Sequence, residues 1–354
     1  MKKYFALLYF SMLFLAACVD QELPSGNNNF IIKAADCSSL PEIEATQTKF
    51  YTEQDVSLSA LQILQQNGCN TIRLRLWHNP SDKHCDLKEV SLLAKRIKAM
   101  GMKVWLTVHY SDWWADPGQQ NIPEAWKNLN FTQLKDSVAN YTALIMESIQ
   151  PEYIQIGNEI NAGLLWPIAH INNEAQFLGI LDTASNVIRS KSQNCKIILH
   201  YAGYENAISF FQKVNKIDYD IIGISYYPKW HGKQIENLKS SLQQISANFQ
   251  KDIVIAEVAY PFSLGYNDWT NNIFGSDSDL ILPNYPATPT GQKDFLLKIK
   301  EVILSTPNGI GFCYWGAELV AFKGPQATNG SPWENAALFN FDNIALPAQK
   351  AFNN

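Results

Sequence analysis

Charged side chains are scarce in this sequence: Asp, Glu, Lys and Arg make up 17% of its 354 residues, and the formal net charge is −5. It has no basic stripe or arginine-rich tract, which excludes nucleic acid and anionic membrane surfaces as electrostatically favoured partners. Closely spaced cysteine pairs are also missing, so a zinc site of the CxxC kind is excluded. The cysteines are scattered, and once Cys18 is set apart Cys37, Cys69, Cys85, Cys195 and Cys313 remain. An odd number cannot all pair within the chain. They read as small buried residues, with one disulfide left open. After Phe30 no linker, low-complexity tract or shift in composition marks a second domain. Hydrophobic residues reach 46%, which excludes wholesale disorder.

Long apolar runs are rare. One extends from Tyr4 to Ala17, too short to span a bilayer comfortably. It follows Lys2 and Lys3 and ends in Leu15-Ala16-Ala17-Cys18, which resembles a bacterial lipobox, where the cysteine becomes the lipidated first residue. The expected organisation is an export signal over residues 1–17, a lipidated Cys18 with a polar tether over 18–29, and one domain over 30–354. The location this implies is the bacterial cell envelope, with the membrane touched through the lipid alone.

Aromatic residues are in excess. Ten Trp and fifteen Tyr exceed the needs of a core. Several fall just after expected strands, where they would line a cleft, and sugars stack their apolar faces on such rings. Strands are expected at 30–35, 70–77, 103–109, 153–158, 196–201, 219–227, 252–257 and 309–315, with helices near 58–66, 87–100, 235–249 and 292–304 and a short one near 346–352. In the second helix Val90, Leu93, Ala94 and Ile97 recur at helical spacing, and Gly101 closes it. Eight alternations of strand and helix predict an α/β fold, a (β/α)8 barrel forming a single catalytic domain. Its longest loops, 110–131, 258–289 and 316–343, fall after the third, seventh and eighth strands, on the face that carries barrel active sites.

Two acidic residues stand at strand ends. Gly157-Asn158-Glu159 closes the fourth strand and Ala256-Glu257 the seventh, so both carboxyls are expected to face one opening. Glycosidic cleavage needs such a pair, one protonated to assist the leaving oxygen and one ionised to attack the sugar or activate water. Read alone, either glutamate also fits a structural ion pair at a strand end.

The chain resembles glycoside hydrolase family 53, endo-β-1,4-galactanases acting on arabinogalactan type I. The resemblance is carried by the block from Asn70 to Trp77 (NTIRLRLW), His109-Tyr110-Ser111-Asp112-Trp113-Trp114-Ala115-Asp116-Pro117, the block from Ile156 to Pro167 (IGNEINAGLLWP), Ser225-Tyr226-Tyr227-Pro228, Glu257-Val258-Ala259-Tyr260-Pro261 and Tyr314-Trp315. It implies a retaining mechanism without a required cofactor, with Glu159 as acid/base, Glu257 as nucleophile and Asn158 on the sugar 2-hydroxyl. Arg75, with Arg73 as a second candidate, is implied as the arginine paired with the nucleophile, Tyr227 as a neighbour of that carboxylate, and Trp315 as the floor beneath the reacting sugar. His109, Asp112, Trp114 and Trp166 are the further candidates for substrate contact. His109 and Asp112 also read as bracing groups, and Trp77, Trp113, Trp166 and Trp230 equally as packing. His200 divides between cleft and structure. Many members carry Glu-Pro after the last Tyr-Trp, whereas this chain has Gly316-Ala317-Glu318 and a long insertion through Gly330. Some bacterial members hold a structural calcium in the late loops; here the 265–279 loop lacks a spaced Asp-x-Asp pattern, so calcium is not favoured. The expected partner is a β-1,4-galactan. The alternatives are another retaining endoglycanase, such as a mannanase or cellulase, and a non-catalytic glycan-binding lipoprotein.

Overall fold

Short, nearly continuous apolar runs form the strands, because each strand of a helix-wrapped parallel sheet is buried on both faces. They are β1 (Ile32–Asp36), β2 (Thr71–Leu76), β3 (Lys103–Val108), β4 (Tyr153–Ile156), β5 (Lys196–Ala202), β6 (Ile221–Ser225), β7 (Asp252–Val258) and β8 (Gly309–Tyr314). The structure is a computed structural model that describes Met1 and residues 30–354; the expected export signal, Cys18 and the tether lie outside the described residues. Each strand pairs in parallel with the next, and β8 pairs back onto β1, so the sheet is a closed eight-stranded barrel. Closure depends on a glycine: at Gly311 φ is 144°, and a Cβ there would sit 1.9 Å from the carbonyl oxygen of Ile32.

Helices α1 (Ala60–Gln66), α2 (Leu87–Ala99), α3 (Phe131–Ile149), α4 (Glu174–Lys191), α5 (Ala207–Lys213), α6 (Ile235–Phe249) and α7 (Pro289–Leu304) wrap the barrel. Their starts are legible in side chains: Ser59 with Gln62 and Asn130 with Gln133 form capping boxes, and Asp86 caps α2. The last expected helix is a 3-10 segment, Pro347–Phe352, whose Phe352 ring stacks on Phe312. A small antiparallel hairpin, Phe50–Tyr51 with Ser57–Leu58, was not expected, since two-residue strands carry no periodicity. The five described cysteines are buried and unpaired, and no described helix is long and apolar enough to cross a membrane.

Strand alternation splits the apolar side chains into two layers. Ile72, Leu74 and Leu76 belong to the layer under the helices, whereas Ile32, Ala34, Trp105, Ile198, Val254 and Ala256 fill the barrel interior. At the C-terminal mouth of the barrel the filling turns polar. One irregularity is decisive there. From Ile255 to Glu257, β7 advances two residues while β6 advances one, from Ile224 to Ser225, and the register against β8 slips at the same place. With Val254 and Ala256 already inward, a regular strand would turn Glu257 outward to the helices. The extra residue turns it into the mouth.

Candidate active site

The mouth of the barrel opens into a cleft of about 730 Å³. Glu257 reaches it through the β7 bulge, and Glu159 through a tight turn beyond β4. In that turn Gly157 has φ 75° and Glu159 φ 47°, both in the left-handed region. A side chain at position 157 would place its Cβ 2.4 Å from Ile160 Cγ2, so glycine is required for the chain to reverse and present the acid.

Carboxylate oxygens of Glu159 and Glu257 approach within 4.8 Å of each other. Their surroundings differ. Glu257 is buried; Arg73 Nη2 lies 2.8 Å from its Oε1, and Tyr227 donates its hydroxyl to Oε2 at 2.8 Å. Burial raises its proton affinity above the ordinary carboxylate range, and the Arg73 charge and the Tyr227 hydrogen bond oppose that rise. Glu159 has no such cation in contact among the described residues. Its only described partner is the Ser225 hydroxyl, which donates to Oε1 at 2.6 Å. Burial first, and then repulsion from Glu257, pushes its pKa up to about 8. Of the two, Glu159 therefore holds the proton near neutrality. Tyr227, raised well above its ordinary value by burial and by Glu257, stays a donor.

The arginine paired with Glu257 is Arg73, which corrects the expectation that placed Arg75 there. Both side chains share one face of β2, so alternation cannot separate them; depth does. Arg73 is 2% exposed and also binds Asp36 Oδ2 at 2.9 Å and Asn158 Oδ1 at 2.9 Å. Arg75, one pleat nearer the rim, lies 3.9 Å from the Trp114 ring centroid and 4.5 Å from that of Trp77, with Nη2 donating to Cys85 Sγ at 3.2 Å. It lines the cleft and orders its aromatic wall.

Asn158, Tyr227, Trp315, His109 and Trp114 all line the cleft as expected. His109 Nδ1 accepts from the Ala115 amide at 3.0 Å, and burial followed by the Arg75 and Arg73 charges keeps the ring neutral. Two expected contacts are corrected. Asp112 accepts from the amides of Asn79 and Glu124, at 2.9 and 2.8 Å, and so ties loops together outside the cleft. Trp166 packs beside His170 and donates to the Ala162 carbonyl, and it is not among the lining residues. Trp77 is buried beneath Trp113, His200 is wholly buried, and Trp230 lines the cleft. Sequence reasoning missed Trp333, whose ring centroid lies 4.2 Å from that of Trp315 and which comes from the loop after β8. It also missed Asp36. A Trp just past an unmatched insertion gave no periodic signal, and an Asp at a strand end needed the fold to show its arginine.

The late loops contain a second polar knot. Asp268 and Glu334 are buried, and Oδ2 of the first, Oε2 of the second and Oδ1 of nearby Asn272 have no hydrogen-bond partner among the described residues. Glu334 Oε1 accepts from the Asn267 amide at 2.6 Å, which joins the two loops. Each carboxylate thus keeps one oxygen without a donor, beside an amide oxygen in the same state, and oxygens of this kind are what a hard cation takes as ligands.

A parallel barrel whose mouth holds two facing carboxyls, one beside an arginine and one beside a hydroxyl, within an aromatic cleft, is the framework of a retaining glycoside hydrolase. The sequence pattern of glycosyl hydrolase family 53 matches residues 32–352, and the chain belongs to that family. It is 33% identical to an arabinogalactan endo-beta-1,4-galactanase of Cellvibrio japonicus, over 94% of this chain and 93% of that one. It is 30% identical to an endo-beta-1,4-galactanase of Bacillus subtilis, over 92% and 86% of the two chains. Among solved structures, the family 53 catalytic domain of Ignisphaera aggregans superposes with a TM-score of 0.87 at 35% identity, covering 93% of this chain and 97% of that one.

Proposed function

We propose that this protein is a retaining endo-β-1,4-galactanase in which Glu257 is the nucleophile and Glu159 the acid/base. The observation that carries this reading is the unlike pair itself. Carboxylate oxygens within 4.8 Å fit the roughly 5–5.5 Å separation of retaining enzymes and leave no room for the water that needs about 6.5–9.5 Å in inverting ones. In the first step the Glu257 carboxylate attacks the anomeric carbon while the Glu159 proton passes to the departing glycosidic oxygen. In the second, Glu159, now ionised, takes a proton from water as that water displaces Glu257 from the sugar. Asn158 is assigned to the sugar 2-hydroxyl, and Trp315, flanked by Trp114 and Trp333, to the face of the ring. Galactan as substrate rests on the galactanases to which the chain is similar across most of their length. A mannanase or cellulase has no such support, and a binding protein without catalysis has no use for a matched pair of facing acids.

Glu159→Ala and Glu257→Ala are each expected to lower turnover on linear β-1,4-galactan on the order of 10³-fold or more, with melting temperatures retained. Released ends should appear first as the β-anomer by proton NMR, and mannan, xylan and cellulose should stay intact. Wild-type activity should fall as pH rises through about 8, where Glu159 loses its proton. Near-normal hydrolysis by either variant, or α-product first, contradicts the assignment.

We further propose that Asp268, Glu334 and Asn272 hold a calcium ion that cross-links the loops after β7 and β8 and stiffens the cleft wall; no chemical step passes through it. Chelation with EDTA is then expected to lower the melting temperature and added calcium to restore it, since an ion held 100-fold above its Kd contributes about 2.7 kcal/mol. An unchanged melting temperature counts against the site. Export and a lipid on Cys18 are likewise proposals, supported by the Lys2-Lys3, apolar-run and Leu15-Ala16-Ala17-Cys18 pattern. Cys18→Ser should release the protein from the membrane fraction; retention there refutes the anchor.

A further inference from the structure

Beneath Glu159 lies a group that the two-carboxylate mechanism does not use. His200, on β5, is fully buried, and its ring touches four polar neighbours. Nδ1 faces two donors, Gln155 Nε2 at 3.0 Å and the backbone amide of Glu159 at 3.4 Å, and one acceptor, Asn158 Oδ1 at 3.3 Å, which already accepts from Arg73 Nη2 at 2.9 Å. The Gln155 amide is itself fixed, because its nitrogen donates to the Gly157 carbonyl at 2.9 Å and its oxygen accepts from Thr107 Oγ1 at 3.3 Å. Nδ1 is therefore an acceptor. Burial and the Arg73 charge keep the ring neutral, so its one proton is on Nε2. Nε2 donates to Ser225 Oγ at 2.8 Å, and the Ser225 hydroxyl, with that lone pair taken, turns its hydrogen to Glu159 Oε1 at 2.6 Å.

We propose that Ser225, held by neutral His200, is a positioning residue that decides which oxygen of Glu159 carries the transferable proton. Oε1 faces a hydroxyl hydrogen and is kept as an acceptor, so the proton resides on Oε2, which has no partner among the described residues. In glycosylation Oε2–H passes to the glycosidic oxygen as the C1–O bond breaks and the Glu257–C1 bond forms. In deglycosylation Oε2 takes the proton of the attacking water, and the Ser225 hydroxyl keeps its own hydrogen throughout. The same contact holds the carboxyl against rotation, and its direction is set by backbone groups of β4 and its turn. The charged groups that act on Glu159 besides these are Glu257 and Asp116, which raise its proton affinity, and Arg73, which lowers it.

This inference rests on the acid/base reading of Glu159, and its test separates the two. Wild type, Glu159→Ala and Ser225→Ala are compared on linear galactan, whose sugar leaving group needs a proton, and on a dinitrophenyl β-galactobioside, whose leaving group does not. For Ser225→Ala, kcat/KM on galactan is expected to fall about 10–100-fold and to stay within about twofold on the aryl glycoside. Its alkaline limb on galactan is expected to move to higher pH, because a hydrogen bond favouring ionised Glu159 is lost. Equal losses on both substrates with an unmoved limb, or no loss on galactan, overturn the inference. Ser225→Gly takes the same readouts if the alanine variant does not fold. An inactive wild type, or Glu159→Ala at wild-type rate, instead overturns the acid/base reading.

Discussion

The ion pair between Arg73 and Glu257, closed off from water at the mouth of the barrel, is the constraint on which the rest of the site depends. A guanidinium 2.8 Å from Glu257 stabilises the ionised form of that carboxyl against its own burial. Removing one partner of such a pair typically costs about 3–5 kcal/mol, because the other is left charged and unsolvated. Asp36 takes the second edge of the same guanidinium, and Asn158 takes a further contact at 2.9 Å. One arginine thus aligns groups from β1, the β4 turn and β7. With a negative charge fixed on Glu257, Glu159 is left to hold the proton, and the two carboxyls acquire different work.

Two local departures from regular backbone deliver those carboxyls. The bulge in β7 turns Glu257 from the helix side to the mouth, and the left-handed Gly157-Asn158-Glu159 turn lifts Glu159 over the rim of β4. Both irregularities are held by the regular parts of the barrel, whose closed hydrogen bonding and apolar interior leave little freedom to relax. The aromatic wall is assembled differently. Trp114 is ordered by the Arg75 cation, which also lies over the buried Trp77 ring, and Trp315 and Trp333 by each other, so that rings from separate loops form one surface.

Much of this was legible in the sequence. All eight strands and the helices expected near 58–66, 87–100, 235–249 and 292–304 fall within a few residues of their expected places, whereas those over 131–149, 174–191 and 207–213 carry no expected bounds. Glu159, Glu257, Asn158, Tyr227 and Trp315 meet in one cleft as the strand-end motifs implied. The misses have physical causes. Arg73 and Arg75 share a face, and only depth in the barrel tells which one reaches Glu257. Asp112 and Trp166 sit in motifs beside true cleft residues, yet their side chains are consumed by loop amides and by a local carbonyl. Ser225 and His200 look like ordinary strand residues until the fold stacks them beneath Glu159.

The central claim is that the proton belongs to Glu159 and the negative charge to Glu257. Carbon-13 NMR of side-chain carboxyl-labelled glutamates, followed across pH and assigned with Glu159→Gln and Glu257→Gln, reads this directly. The account predicts that Glu159 titrates above Glu257, near 8, and that neutralising Glu257 as glutamine brings the Glu159 titration down. A Glu257 resonance that titrates above that of Glu159 would contradict it.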